Sequence, residues 1–231
     1  MAIKRHKNEG SSEGSGVSGA LVEVTSELRA VIEAVSANEV GDDDAIEALA
    51  LVRELRARLE GERRPRWYDD PAMADEGRTR GSLEFADQSP LRGARNAVAP
   101  PLDVVAVTDG DGERTIEARG RLGLTYEGPP HGVHGGFVAA MFDEVLGATQ
   151  RYTGRPGVTA QLAIKYRHVT PLDEELVFRG WVERDSGRRI VSRATCHAGD
   201  TLTAEAHALF VRVDFEEVQA RMQARRDEPS R

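Results

Sequence analysis

One cysteine in 231 residues rules out an internal disulfide and any zinc site built from several thiolates. That residue, Cys196, lies in an alternating apolar–polar run and reads as a small buried hydrophobe, not a nucleophile. Positive charge is also in deficit, 31 Lys and Arg against 39 Asp and Glu, for a net charge of −8. This excludes a nucleic-acid surface as the main business of the chain, although a local basic patch can still hold a phosphate. No apolar run approaches the roughly 20 residues that cross a bilayer, and Met1 to Gly19 lack the apolar core of a signal peptide. A soluble, cytoplasmic protein is expected, with neither membrane nor nucleic acid among its partners.

What remains is organised in zones. Residues 1–19, rich in Gly, Ser and charge, cannot bury enough surface to fold and read as a disordered leader. Residues 20–61 carry two helical patterns that predict a helical hairpin: Leu21, Val24, Leu28, Val31 and Val35, then Ile46, Leu49, Val52, Leu55 and Leu59. Asp42, Asp43 and Asp44 are N-cap candidates for the second helix, and Gly61 is its stop. No chemistry sits on this hairpin, which reads as a packing or dimerisation element ahead of a regulatory one. Residues 62–101 form a connector rich in Pro, Arg and Asp, long enough that part of it should be ordered.

Residues 102–213 hold two alternating runs, 102–108 and 115–124, about the turn Asp109-Gly110-Asp111-Gly112. A nearly all-apolar helix follows over about 136–151, then four strand-like runs over 158–169, 175–184, 189–197 and 201–213. Two strands, one apolar helix and four strands predict an α+β fold, an antiparallel sheet curled around a single buried helix. Residues 214–231 read as a fraying tail.

The helix concentrates the chemistry. It opens on Gly135 and Gly136 after His134, where unpaired backbone amides and partial positive charge suit a polarised carbonyl. Further along it carries Asp143, a carboxylate that is costly on a buried helix unless paired or used. Helical spacing puts Asp143 on a stripe with Gly136, Ala139, Ala140 and Gly147, all small, leaving a groove for a substrate. Phe137, Val138, Met141, Phe142 and Val145 form the opposite, sheet-facing stripe. Glu144 lies about 100° away and reads as solvated or ion-paired. His134 reads equally as a helix-capping imidazole and as a catalytic one, with positioning ahead of proton transfer. His131, Lys165, Arg167 and His168 are weaker candidates for meeting phosphates.

The element order, with Gly128-Pro129-Pro130, Val133-His134-Gly135-Gly136, Asp143, Gly147, Val158-Thr159-Ala160-Gln161-Leu162 and Thr170-Pro171-Leu172, resembles the hotdog-fold acyl-CoA thioesterases, and among them the phenylacetate-degradation (PaaI-type) branch. The resemblance covers about half the chain and leaves out the N-terminal hairpin. It implies hydrolysis of an acyl-CoA or related thioester, without metal or cofactor, in a homodimer or dimer of dimers. It further implies Asp143 as catalytic carboxylate, the Gly135 or Gly136 amide as carbonyl-polarising donor, Thr159 as an assisting hydroxyl, and His134 as the motif histidine. Glu144 beside the aspartate is a departure, since another branch of the fold uses a helix glutamate. Two other readings stand beside hydrolysis: a hotdog-fold acyl-thioester hydratase or dehydratase, and a non-catalytic acyl-CoA-binding regulator.

Distance adds a constraint of its own. Gly135 and Asp143 are eight residues apart on one helix, about 12 Å of rise, whereas one carbonyl must meet its donor and its attacking group within about 3–3.5 Å. Two helices related by a two-fold axis satisfy this, one supplying the amide and the other the aspartate.

Overall fold

The computed structural model describes residues 4–6, 19–63, 87–100, 102–154 and 156–213. Most of the leader, residues 64–86 of the connector and the tail 214–231 lie outside the described residues. The chain divides into two units, one of residues 1–10, 103–121 and 128–231, the other of residues 11–102 and 122–127.

The first unit is a fully antiparallel sheet around one helix. Its strands are β1 (Lys4–His6), β2 (Asp103–Thr108), β3 (Arg114–Gly120), β4 (Val158–Tyr166), β5 (Leu176–Ser186), β6 (Arg189–Ala198) and β7 (Thr201–Val211), in the order β1-β2-β3-β5-β6-β7-β4. The helix, α3, runs Gly135–Thr149 and lies against β3 to β7. This is the hotdog arrangement expected from the element order. Lys4–His6, inside the segment read as a disordered leader, pair with β2 and cover backbone groups that an edge strand leaves open. Asp109 closes the β2–β3 turn: its side chain accepts from the Asp111 and Glu113 amides, and Gly112 takes a φ of +85°.

Shape complementarity explains why this helix fits this sheet. The helix-facing positions of β6 and β7 are mostly small, with Ser192, Ala194, Cys196 and Ala198 on one and Ala204, Ala206 and Ala208 on the other, all buried. Into the space they leave, α3 inserts Val138, Met141, Phe142, Val145 and Leu146. Phe137, expected on the same stripe, is only half-buried, whereas its neighbour Val138 is fully buried. Gly180 on β5 marks a close approach: a Cβ there would lie 2.9 Å from Val145 Cγ1. Phe142 and Phe178 meet edge to face at 5.1 Å. A polar pair in this core is satisfied internally. Thr149 donates to the Leu146 carbonyl (2.6 Å), so the Ser192 hydroxyl, 2.8 Å away, donates to Thr149. Cys196 is fully buried, and burial pushes its thiol up to about 11, as expected of a packing residue.

On β3, burial pushes Glu117 up, but hydrogen bonds from Arg119 (2.8 Å) and Arg179 (3.2 Å) outweigh it and hold the carboxyl below the usual range.

The second unit contains α1 (Gly19–Ala37) and α2 (Asp42–Leu59). Both helices form where their periodicity predicts. Their apolar stripes are not buried, however: α1 buries Thr25 alone and α2 buries nothing. Asp42, Asp43 and Asp44 lie inside the first turn of α2, after the cap position Gly41, where they favour the helix dipole without capping it. Two charged residues of α1 organise what surrounds them. Arg29 donates to the carbonyls of Gly93 (2.7 Å), Asn96 (3.0 Å) and Ala99 (3.1 Å), ordering the end of the connector. Glu33 accepts from the amides of Leu124 (2.8 Å) and Thr125 (3.1 Å) and from the Thr125 hydroxyl, and that hydroxyl holds its carboxyl below the usual range. The alternating run 115–124 therefore does not continue as strand. It leaves the sheet after Gly120, and Leu124–Tyr126 form a single 3-10 turn whose amides meet Glu33. Among the described residues, no helix is long and apolar enough to cross a membrane.

Candidate active site

Helix α3 begins at a built N-terminus. His134 takes extended backbone angles and its Nδ1 accepts from the Gly136 amide (3.0 Å), the position an N-cap side chain serves. With Nδ1 accepting, the neutral ring carries its proton on Nε2. The His134 carbonyl accepts from Phe137 (2.9 Å) and Val138 (3.3 Å), starting the helical ladder. The two glycine amides thus differ. Gly136 is engaged by the cap, whereas among the described residues no acceptor is bonded to the Gly135 N–H. Gly135 borders a hollow of about 530 Å³ whose walls include Pro129, Val133, Val138, Tyr166 and Val169.

Asp143 is half-buried on α3, and its Oδ1 accepts from the Thr159 hydroxyl at 2.9 Å. How Thr159 reaches the helix is a matter of register. Leu162 pairs with Ala208 and faces the helix, so strict alternation would turn residue 159 away. Instead the pairing shifts between Thr159 and Gln161, and Thr159 stands opposite Phe210, on the helix side. An extra residue in the edge strand β4, Ala160, re-aims the hydroxyl at the carboxylate, a familiar use of a bulge. The stripe beside Asp143 is as open as its residue sizes require: Ala139, Ala140 and Gly147 are half-buried, and a Cβ at Gly147 would meet nothing within 4 Å.

The structure therefore brings the sequence-derived residues into two clusters on one helix. His134, Gly135 and Gly136 form the first; Asp143 and Thr159 form the second, about 12 Å further along. Glu144 is half-buried and outside both. The phosphate candidates separate. Arg167 and His168 border the hollow at Gly135, whereas Lys165 borders a different one with Trp181, Arg193 and His207. Arg167 is ion-paired to Glu205, and His131 is exposed with a φ of 60°. Sequence reasoning missed Tyr166, whose hydroxyl donates to the Gly135 carbonyl (2.7 Å). Its signal was available in the even-numbered alternation that puts Leu162, Ile164 and Tyr166 on one face of β4.

Comparison with known proteins bears on this same stretch. Residues 131–205 match the family model described as Thioesterase superfamily. Acyl-coenzyme A thioesterase THEM4 of Xenopus laevis is 32% identical over 103 residues, 44% of this chain and 46% of that protein. Its Bos taurus counterpart is 28% identical over 163 residues, 70% of this chain and 64% of that protein. The matched stretches thus span about half to two thirds of these curated relatives. A crystal structure of a thioesterase superfamily protein superposes with a TM-score of 0.67 at 27% identity, covering 85% of this chain and 96% of that one.

Proposed function

We propose that this chain, with its hotdog fold and a thioesterase-superfamily segment over residues 131–205, hydrolyses an acyl-CoA or closely related thioester in the manner of the phenylacetate-degradation branch. Asp143 carries the reading. It is a carboxylate on the core helix, steadied at one oxygen by Thr159 and flanked by small residues that leave room for a substrate.

The Gly135 amide is the donor that polarises the thioester carbonyl, since the Gly136 amide already serves the cap. Asp143 supplies the attack by either of two routes. As a general base it takes a proton from water, whose oxygen adds to the carbonyl carbon; the C–S bond then breaks and the thiolate leaves. As a nucleophile it adds directly, expels the thiolate and forms a mixed anhydride that water opens. His134, its Nδ1 committed to Gly136, positions the loop and offers only an Nε2–H donor.

Because the two clusters are about 12 Å apart along α3, one chain does not bring both to one carbonyl. The active site is therefore composed of Gly135 from one protomer and Asp143 from its partner, with two equivalent sites per homodimer. No metal or other cofactor is invoked, and a cytoplasmic setting remains part of the reading.

The test is release of free CoA from a panel of aliphatic and aromatic acyl-CoAs. Thiol release supports a thioesterase; enoyl–hydroxyacyl interconversion points to a hydratase; binding without turnover points to a regulator. Asp143→Asn should lower turnover about 10²-fold or more with fold and assembly intact. A large loss in Glu144→Gln instead would reassign the carboxylate. Mixing inactive Asp143→Asn with an inactive variant bulky at Gly135 should restore up to about a quarter of wild-type activity, since half the dimers then hold one intact site. Demonstrated heterodimers without recovery would put both groups in one chain.

A further inference from the structure

We infer that Tyr166 is a positioning residue for the Gly135 amide, a role that rests on the thioesterase reading. Two peptide planes meet at the Gly135 Cα. The first, between His134 and Gly135, is held at its carbonyl end by the Phe137 and Val138 amides. In a trans peptide the N–H points opposite the C=O, so the Gly135 N–H is directed out of the helix. The second plane, between Gly135 and Gly136, is held at both ends. Its carbonyl accepts from the Tyr166 hydroxyl (2.7 Å) and its N–H donates to His134 Nδ1 (3.0 Å). The result is one hydrogen-bonded line: Tyr166 hydroxyl, Gly135 carbonyl, Gly136 amide, His134 ring.

Glycine has no Cβ to restrict its torsions, so at two successive glycines the second plane can turn against the first, and the direction of the Gly135 N–H relative to the helix with it, unless something outside holds it. A side chain at Gly135 would stiffen it, but a Cβ there would lie 3.3 Å from the Tyr166 hydroxyl oxygen, tighter than ordinary contact. Glycine keeps the approach to the amide open, and Tyr166 supplies from β4 the restraint that glycine lacks. A donor aimed in advance at a developing oxyanion is worth far more than one that must be aimed during the reaction. The line also polarises in one direction, from the tyrosine proton toward the imidazole, and fixes the ring proton on Nε2.

The test is Tyr166→Phe, which removes one oxygen and keeps the ring. Loss of a whole oxyanion donor costs about 10²–10³ in turnover, so mis-aiming should cost less: about tenfold in kcat, with KM changed by less than about twofold. In the ¹⁵N–¹H spectrum the Gly136 amide should move upfield as its peptide loses polarisation, and the His134 ¹⁵N shifts should move with it. A kcat loss without a KM change, together with those shifts, supports the assignment. Unchanged kcat overturns it, whether or not thermal stability falls, because the bond then only ties β4 to α3. Equal changes in kcat and KM with unmoved glycine amides also overturn it. Should the wild-type protein release no CoA from any acyl-CoA, the hydrolase reading fails by itself. The glycine and histidine shifts then decide whether Tyr166 holds this peptide.

Discussion

Helix α3 and helix α2 carry similar apolar periodicities and meet opposite fates. In α3, Met141, Phe142, Val145 and Leu146 are all 0% exposed. In α2, Ile46 is 67% exposed, Leu51 is 68% exposed, and nothing is buried. Periodicity makes a helix and orients its stripe; burial needs an opposing surface cut to the same shape, and for α3 the small-residue faces of β6 and β7 help provide one. The two units are accordingly held by different forces. The first packs α3 closely against its sheet; in the second, Arg29 and Glu33 grasp backbone groups of distant segments beside a smaller apolar set, Ala99, Leu102 and Leu122.

Substitutions can break this contrast or sharpen it. The largest effect is expected at Phe142→Ala, which should cost about 3–5 kcal/mol in denaturant unfolding, because the cavity lies between a rigid helix and a rigid sheet. Next comes Arg29→Met, which keeps bulk but strips three carbonyls of their donor. A cost of about 1–3 kcal/mol is expected, read as faster hydrogen exchange over 93–100 with exchange in β5 to β7 unchanged. A chain starting at Gly81 lacks both Arg29 and Glu33 and should lose protection over 93–100 and over 122–127 together. Protection retained there would show that these loops hold themselves.

Acid should act through the two depressed glutamates. Glu117 and Glu33 both bind protons more weakly folded than unfolded, so the stability they confer is complete above the ordinary carboxylate range. It is lost as pH falls through their lower folded-state values. Glu117→Gln should therefore lower stability at neutral pH and flatten the acid limb of the unfolding profile. The smallest effect is expected at Val52→Ser on α2, within about 0.5 kcal/mol of zero. A loss of several kcal/mol there would mean that the α2 stripe is covered in solution.

The sheet and its helix were legible because each strand repeats every two residues and α3 does not. Predicted runs at 158–169, 175–184, 189–197 and 201–213 correspond to β4 to β7 with ends shifted by a few residues. Run 115–124 was misread at its end because alternation continues to Leu124 while the chain turns away to Glu33, a partner 91 residues earlier in sequence. The Arg29 contacts were invisible for the same reason: one arginine among many carries no local sign of which carbonyls it will meet. Thr159 shows the other kind of limit. Alternation counted from Leu162 turns it away from the helix, and only the bulge at Ala160 restores it. Asp143 and the glycines needed no such correction, since a carboxylate on a small-residue stripe is a local fact.

The buried thiol of Cys196 has a practical corollary. With its proton held up to about 11 and its sulfur fully covered, the folded protein presents almost no thiolate at neutral pH. A chromogenic disulfide reagent in the proposed CoA-release assay will therefore meet little background from the folded protein. The same reagent, applied without substrate under denaturing stress, becomes a clock. Each chain contributes one colour event, and that event marks the moment at which α3 and the sheet part.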